Sequence, residues 1–500
     1  MTDPHGASRS VSGGGAEPTG TRFDVEAFID RTPIGFTQVM ALVACILVCF
    51  IDGFDIFMLG KIAPAIASDF GEPSTALTRV FVWQQVGLAA GAFGIAPLAD
   101  RFGRRSMLMC SCLAFGICTL FSVRAHSLAD LALLRGVAGV FMSAGLPMAM
   151  ALVAELTPRH RRSTLIALAL AGYSTGSAAS GVVAAWLLDG YGWRIGFWIG
   201  GLVPLACVPL LLFFVPESLK LRAERNPADR RIAASIRRID RGVELRGDEV
   251  FVLGSGEVRA RQARLADVVA EGRGWMSALI AAACLLSMSN IALLGAWLPT
   301  FFQVMAGIPI QKFAVVAMIG YLGGVAGTLV VGWLMDRLRP ALLLAAFYVL
   351  LALSLNALAW VPFHSRAFIL VAILWSFFQT GGQGGLNTMI AQVYPPRMRS
   401  TALGWAGGAG RVGGILAPVA GGIALAQHFS LQLTLALAAI LPLAVAVLLL
   451  LLNGVRGDPA GSPGRERGPR ARAPAGGPEW CVRAARDSCK RPHASAGRFG

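Results

Sequence analysis

Charge is scarce in this chain. Only 14% of its 500 residues are Asp, Glu, Lys or Arg, against about 25% in a soluble globular protein. That shortage argues against a soluble enzyme. No phosphate-cradling glycine loop and no nucleophile–base arrangement appear, so nucleotide-driven and covalent chemistry are not expected. The nine cysteines lie mostly in apolar runs without ligand spacing such as CxxC, which leaves neither a disulfide framework nor a metal site. His126, His160, His364 and His428 sit in loops and gather no catalytic or metal group. No cofactor is expected. The first 36 residues are polar and Gly/Ser-rich, and lack the basic, apolar and cleavage regions of a signal peptide. They read as a disordered cytoplasmic lead-in.

What fills the space is apolar sequence. Hydrophobic residues make up 55% of the chain, with 59 glycines of the kind that lets helices pack closely in lipid. A membrane-crossing helix needs about 20 mostly apolar residues. Runs of that kind fall at 37–60, 79–99, 104–123, 128–154, 164–188 and 195–215. After a polar, Arg-rich segment they resume at 276–299, 313–335, 340–361, 366–391, 401–425 and 430–452. The expectation is an all-α membrane protein with 12 transmembrane helices.

The net charge of +16 looks at first like a nucleic-acid signal. Its placement says otherwise. Arginines cluster in DRFGRRS (100–106), PRHRRST (158–164), DRLRP (336–340) and PPRMRST (395–401), while the alternate loops SDFGEPST and DGYGWR are poorer in them. By the positive-inside rule the Arg-rich loops and both termini are cytoplasmic. The bilayer is therefore the expected partner, and nucleic acid is not.

Two of these loops repeat. Asp100-Arg101 matches Asp336-Arg337, and AELTPRHRRST (154–164) matches AQVYPPRMRST (391–401), at offsets differing by one residue. Two six-helix halves, 37–215 and 276–452, are expected to be related by an axis along the membrane normal, with a site between them near mid-bilayer. The segment 216–275 reads as a partly helical cytoplasmic loop. From 453 onward the chain becomes Gly-, Pro- and Arg-rich without periodicity and reads as a disordered basic tail. It is either a functional extension or the frame-shifted end of a GC-rich gene.

Within the first run, Asp52 and Asp55 stand in QVMALVACILVCFIDGFDIFMLG (38–60). An acid in hydrocarbon costs at least about 2.5–3.5 kcal/mol and marks function by default. Residues three apart share a helix face, so both acids can reach one cavity as a coupled proton site. The alternative is a structural hydrogen bond. Arg411 falls about 15 Å into its run at 1.5 Å per residue, near the midplane, and needs an anionic partner. That partner is either a substrate carboxylate or a permanent bridge to Asp52 or Asp55. Arg135 can pair with the same acids or steer the anion. Gln379, Gln383 and Asn387 recur at four-residue spacing and share a face, the pattern of a polar cavity lining. Trp297 is a candidate to stack on a ring.

The stretch PLADRFGRR (97–105) resembles the loop pattern of the major facilitator superfamily, with Ala96 where a glycine is usual. DGFD (52–55), Arg135, Glu155 and GWAGGAGRVGGILAP (404–418) resemble its aromatic acid:proton symporter family. That resemblance implies a secondary active transporter in the bacterial inner membrane, a monomer carrying a benzoate- or hydroxybenzoate-like anion inward with protons. It implies proton coupling at Asp52 and Asp55. Substrate binding falls to Arg411, Arg135, Trp297, Gln379, Gln383 and Asn387. A conformational switch is implied at Asp100, Arg101, Gly103, Arg104, Arg105 and Glu155, with Asp336 and Arg337 as second-half counterparts. Span 5 reads YSTGSAASGVVAA, without the Gly-Pro core of drug antiporters. The alternatives are a carrier of another small organic anion or a sugar, and a transporter-like sensor.

Overall fold

The computed structural model describes residues 21–240, 242–243, 245, 249–253, 265–270, 272–395 and 398–457. The expected tail beyond 457, the first 20 residues and parts of the central segment lie outside the described residues.

Long apolar sequence forms helices here because a chain in lipid must satisfy its own backbone hydrogen bonds. After α1 (Val25–Arg31) come α2 (Phe36–Asp69), α3 (Thr78–Phe102), α4 (Arg104–Ser122), α5 (Leu128–Met142), α6 (Gly145–Leu156) and α7 (Arg159–Trp186). A short α8 (Leu188–Tyr191) leads to α9 (Arg194–Phe214). The central segment holds α10 (Leu219–Arg225), α11 (Arg230–Ile239) and α12 (Leu265–Val269). The second half follows as α13 (Gly274–Ala306), α14 (Ile310–Met335), α15 (Pro340–Trp360), α16 (Arg366–Val393), α17 (Arg399–Ala426) and α18 (Leu431–Gly457).

Among the described residues, eleven helical stretches are long and apolar enough to cross a membrane, with α5 and α6 together making one of them, Leu128–Leu156. The expected second span corresponds to α3, a helix of 25 residues.

The helices pair as the repeat implies. In the first half α2 packs along α7, and α3 along α5. In the second, α13 packs along α17, and α14 along α16. The halves meet through α7 with α14 and through α17 with α3, two contacts that exchange under a two-fold operation. Named contacts across the halves gather toward one end. Phe57 meets Tyr321 edge-on with centroids 5.5 Å apart, Phe81 meets Trp297 at 5.0 Å, and Gln311 donates to Asp189.

Gly53 is a tight joint beside the acids. A Cβ there would run into the Tyr173 carbonyl oxygen of α7, so the glycine between Asp52 and Asp55 is what lets α2 and α7 touch backbone to backbone. Gly413 serves the matching pair, where a Cβ would strike the Leu285 carbonyl oxygen of α13.

Residues 22–31 depart from the expected disorder of 1–36. β1 (Arg22–Asp24) pairs in parallel with β2 (Val250–Val252), in the register Phe23↔Phe251. Asp24 caps α1 by accepting from the Glu26 and Ala27 amides at 2.9 and 3.1 Å. Phe23 packs on Phe28 and Phe251, and Val25 and Ile29 are buried. The acids Glu26 and Asp30 meet Arg159 at 2.8 and 3.4 Å. A small aromatic cluster and complementary charge order a stretch whose composition alone reads as loose.

Candidate functional site

The two acids of α2 have different surroundings. Asp55 is 3% exposed and ion-paired with Arg135 of α5, which is fully buried. Gln84 Nε2 of α3 donates to Asp55 Oδ2 at 3.4 Å. Arg135 Nη1 donates to Thr119 Oγ1 of α4 at 3.5 Å, and its guanidinium lies 5.5 Å from the Phe197 ring centroid of α9. Every partner comes from the first half. This is a buried pair with hydrogen-bond support, the arrangement that holds only while both partners remain.

Asp52 is half-buried and within electrostatic reach of Arg411 on α17, in the opposite half. Tyr173 of α7 stands within reach of both charges. Asp52 also lines a small cavity of about 20 Å³ with Ser111 and Phe141, room for about one water. The Ser111 hydroxyl is buried there without a partner among the described residues. Arg411 is half-buried, and among the described residues it makes no hydrogen bond or contact ion pair. A guanidinium cannot shed its charge in a protein, so an open fork at this depth calls for a carboxylate.

The second half adds neutral polar groups. Asn290 Nδ2 of α13 donates to Gln379 Oε1 at 2.7 Å. Ser287 Oγ donates to Gln383 Oε1 at 2.6 Å and lies 2.7 Å from the Tyr348 hydroxyl. Asn290 Oδ1, Gln379 Nε2 and Trp375 Nε1 are buried without partners among the described residues. Asn387, third of the expected stripe, is exposed. Trp297 is fully buried. Its indole donates to the Pro418 carbonyl at 2.9 Å and its ring stacks with Phe301, so in this conformation it braces α13 against α17 and α3.

The charged loop between α3 and α4 turns at Gly103, whose φ of 103° lies in a region that disfavours side chains. Arg104 pairs with Glu155 of α6. Glu155 Oε2 accepts from Ser218 Oγ at 2.5 Å. Glu217 caps the start of α4: Oε1 accepts from the Arg105 amide at 2.9 Å, and Oε2 from the Ser106 amide at 3.3 Å and hydroxyl at 3.1 Å. Arg105 Nε donates to the Leu211 carbonyl at 3.1 Å. Arg101 lies 5.7 Å from the Phe102 ring centroid. Asp100 lies in the last turn of α3, and its side chain lies outside what is described. The counterparts Asp336 and Arg337 are exposed, with Arg337 over the Trp333 ring at 3.9 Å.

Sequence reasoning missed Glu217, Ser218 and Lys61. The first two act across 63 to 112 residues of chain and leave no local pattern. Lys61 stood just past the expected end of the first span at Gly60. The helix runs on to Asp69, which places Lys61 inside it and 2% exposed. A lysine in GKIAPAIA, bounded by apolar residues on both sides, was the available signal.

The family model for the Major Facilitator Superfamily matches residues 45–387 and 344–492. A gallate transporter of Pseudomonas putida is 32% identical over 446 residues, covering 89% of this chain and 98% of that protein. The 4-hydroxybenzoate transporter PcaK of Pseudomonas putida is 29% identical, covering 87% and 97%. A benzoate transport protein of Acinetobacter baylyi is 25% identical, covering 85% and 92%. In fold, the chain resembles the crystal structure of a bacterial homolog of the human lysosomal transporter Spinster in its inward-facing, occupied conformation, with a TM-score of 0.64 at 15% identity, covering 84% and 98%. Helix content, pairing of the halves and family match agree: this chain is a membrane transporter, not an enzyme, and belongs to the Major Facilitator Superfamily.

Proposed function

We propose that the protein imports a benzoate- or hydroxybenzoate-like anion together with protons across the bacterial inner membrane, by alternating access. The aromatic acids named for its relatives support the substrate class. With the Arg-rich loops cytoplasmic, the end where α7 meets α14 and α17 meets α3 is the outer end. Contact there corresponds to an outwardly closed, inward-facing state.

The observation that carries the reading is Arg411, a guanidinium near mid-bilayer with no contact partner among the described residues of its own half and Asp52 across the gap. Asp52 and the substrate carboxylate compete for it. When Asp52 takes a proton, Arg411 is left with an uncompensated charge, and a bidentate carboxylate answers it. With both loaded, no naked charge crosses the low-dielectric barrier as the halves rock. Asp55 is held by Arg135 and tunes the pair as the second acid, so the proton belongs to Asp52 and Asp55 as a coupled unit. Gln379 and Gln383 line the second-half wall. Trp297 and Arg135 support the site from behind in this conformation. The bonds of Arg104 and Arg105 to Glu155, Glu217 and the α9 carbonyls are the candidate cytoplasmic switch.

Uptake of radiolabelled 4-hydroxybenzoate into cells or vesicles, with and without a protonophore, tests this. The expected result is accumulation that collapses when the proton gradient is removed. Binding without accumulation would point to a sensor and overturn the proposal.

A further inference from the structure

Lys61 has no place in the scheme above, yet it is a buried cation in a membrane-crossing helix. Its ammonium donates to Ser180 Oγ at 2.6 Å, and at 3.4 Å to the carbonyls of Ser177 and Phe57. These acceptors are all neutral, and no carboxylate among the described residues lies against it. A buried charge without an opposite charge is costly even after protein relaxation, so the site as it stands is one anion short.

Its surroundings divide between the halves. Ser177 and Ser180 on α7 and Phe57 on α2 belong to the first half. The remaining face is closed by Tyr321 of α14, from the second half, whose ring centroid is 5.5 Å from Nζ. The Tyr321 ring also meets Phe57 edge-on, with centroids 5.5 Å apart and planes at 69°. An aromatic ring from the opposite half thus fills a niche that offers both an ammonium and an aromatic wall.

From this we infer that Lys61 is an entry station for the substrate. When the halves part at the outer end, Tyr321 leaves with α14. Lys61 and Phe57 stay with the first half, and an incoming aromatic carboxylate takes the vacated niche, its ring on Phe57 and its carboxylate on Nζ. The station lies six residues beyond Asp55, about 9 Å along α2 at 1.5 Å per residue, and so outside the level of the acids. The aromatic wall selects arenes over small aliphatic acids, and the ammonium selects the anion. The inference rests on the transport reading, because only a carrier that opens outward exposes the niche.

The test compares entry with exit for the full-length protein, using radiolabelled 4-hydroxybenzoate in right-side-out and inside-out vesicles. Lys61→Met is expected to raise KM for entry about tenfold or more while KM from the cytoplasmic face stays within about twofold, and Lys61→Arg to restore most of the entry KM. An unchanged entry KM in Lys61→Met, or an equal rise on both faces, overturns the station. Should Lys61→Met fail to reach the membrane, the wild-type protein answers through labelling by a membrane-impermeant amine reagent applied outside. Lys61 is expected to react during turnover and to be protected by 4-hydroxybenzoate, with the exposed Lys312 as reference. Labelling of Lys312 without Lys61 overturns the inference. A wild-type protein that accumulates no aromatic acid fails the transport reading itself, whereas normal accumulation with normal Lys61→Met entry fails this inference alone.

Discussion

The two halves share helix order and pairing but divide their chemistry. The first half is rich in fixed ion pairs: Asp55 with Arg135 in its core, and Arg104 with Glu155 at its Arg-rich end. The second half holds neutral amides and hydroxyls, Asn290 with Gln379 and Ser287 with Gln383 and Tyr348, and at mid-bilayer the open guanidinium of Arg411. The repeated loop keeps part of its arrangement in both copies. Arg101 and Arg337 are both exposed and lie over neighbouring aromatic rings, but Arg104, further along the first loop, is bonded across its half. A repeat can thus keep its geometry while one copy becomes an electrostatic frame and the other a recognition surface.

The sharpest way to break that division is to cut the frame. Arg135→Ala or Asp55→Ala strands a buried charge, which costs about 3–5 kcal/mol. The expected outcome is a large fall in thermal stability and membrane level, measured on detergent-purified protein. Losing substrate affinity with stability intact would move Arg135 from frame to binding surface. Next comes the recognition side. Arg411→Ala should weaken anion binding by about 2–5 kcal/mol with little change in stability, read by calorimetric titration with 4-hydroxybenzoate. Asp52→Asn probes the gap between the halves: uphill uptake should vanish while substrate exchange down a gradient persists. Full accumulation in this variant would remove the acid from coupling. Glu217→Ala removes the cap of α4 and should cost about 1–2 kcal/mol of stability, a first-half effect that the sequence repeat does not foresee. Smallest of all, deleting 458–500 should leave uptake unchanged at equal membrane level.

The repeat was legible because it is written twice in short, charged loops, where arginines stand out against apolar sequence. Asp52, Asp55 and Arg411 were legible for the same reason, as charges in long apolar runs. Their division of labour was not. Spacing puts both acids on one face, but only packing decides that Asp55 meets Arg135 while Asp52 looks toward Arg411. Trp297 read as a candidate ring partner because composition cannot tell a cavity-lining indole from one bonded to a neighbouring helix. Lys61 escaped because a helix of 34 residues, about 51 Å long at 1.5 Å per residue, overruns a 20-residue window. Residues 22–31 escaped because their order comes from partners more than 100 residues away.

Gly53 carries a consequence for motion. With no side chain between them, α2 and α7 have no lubricating layer and resist sliding past one another. Asp52 is therefore mounted on a stiff two-helix blade. Its distance from Arg411 is set less by how a carboxylate swivels than by how far that blade turns, as the contacts of a rotary switch close only when the whole arm swings.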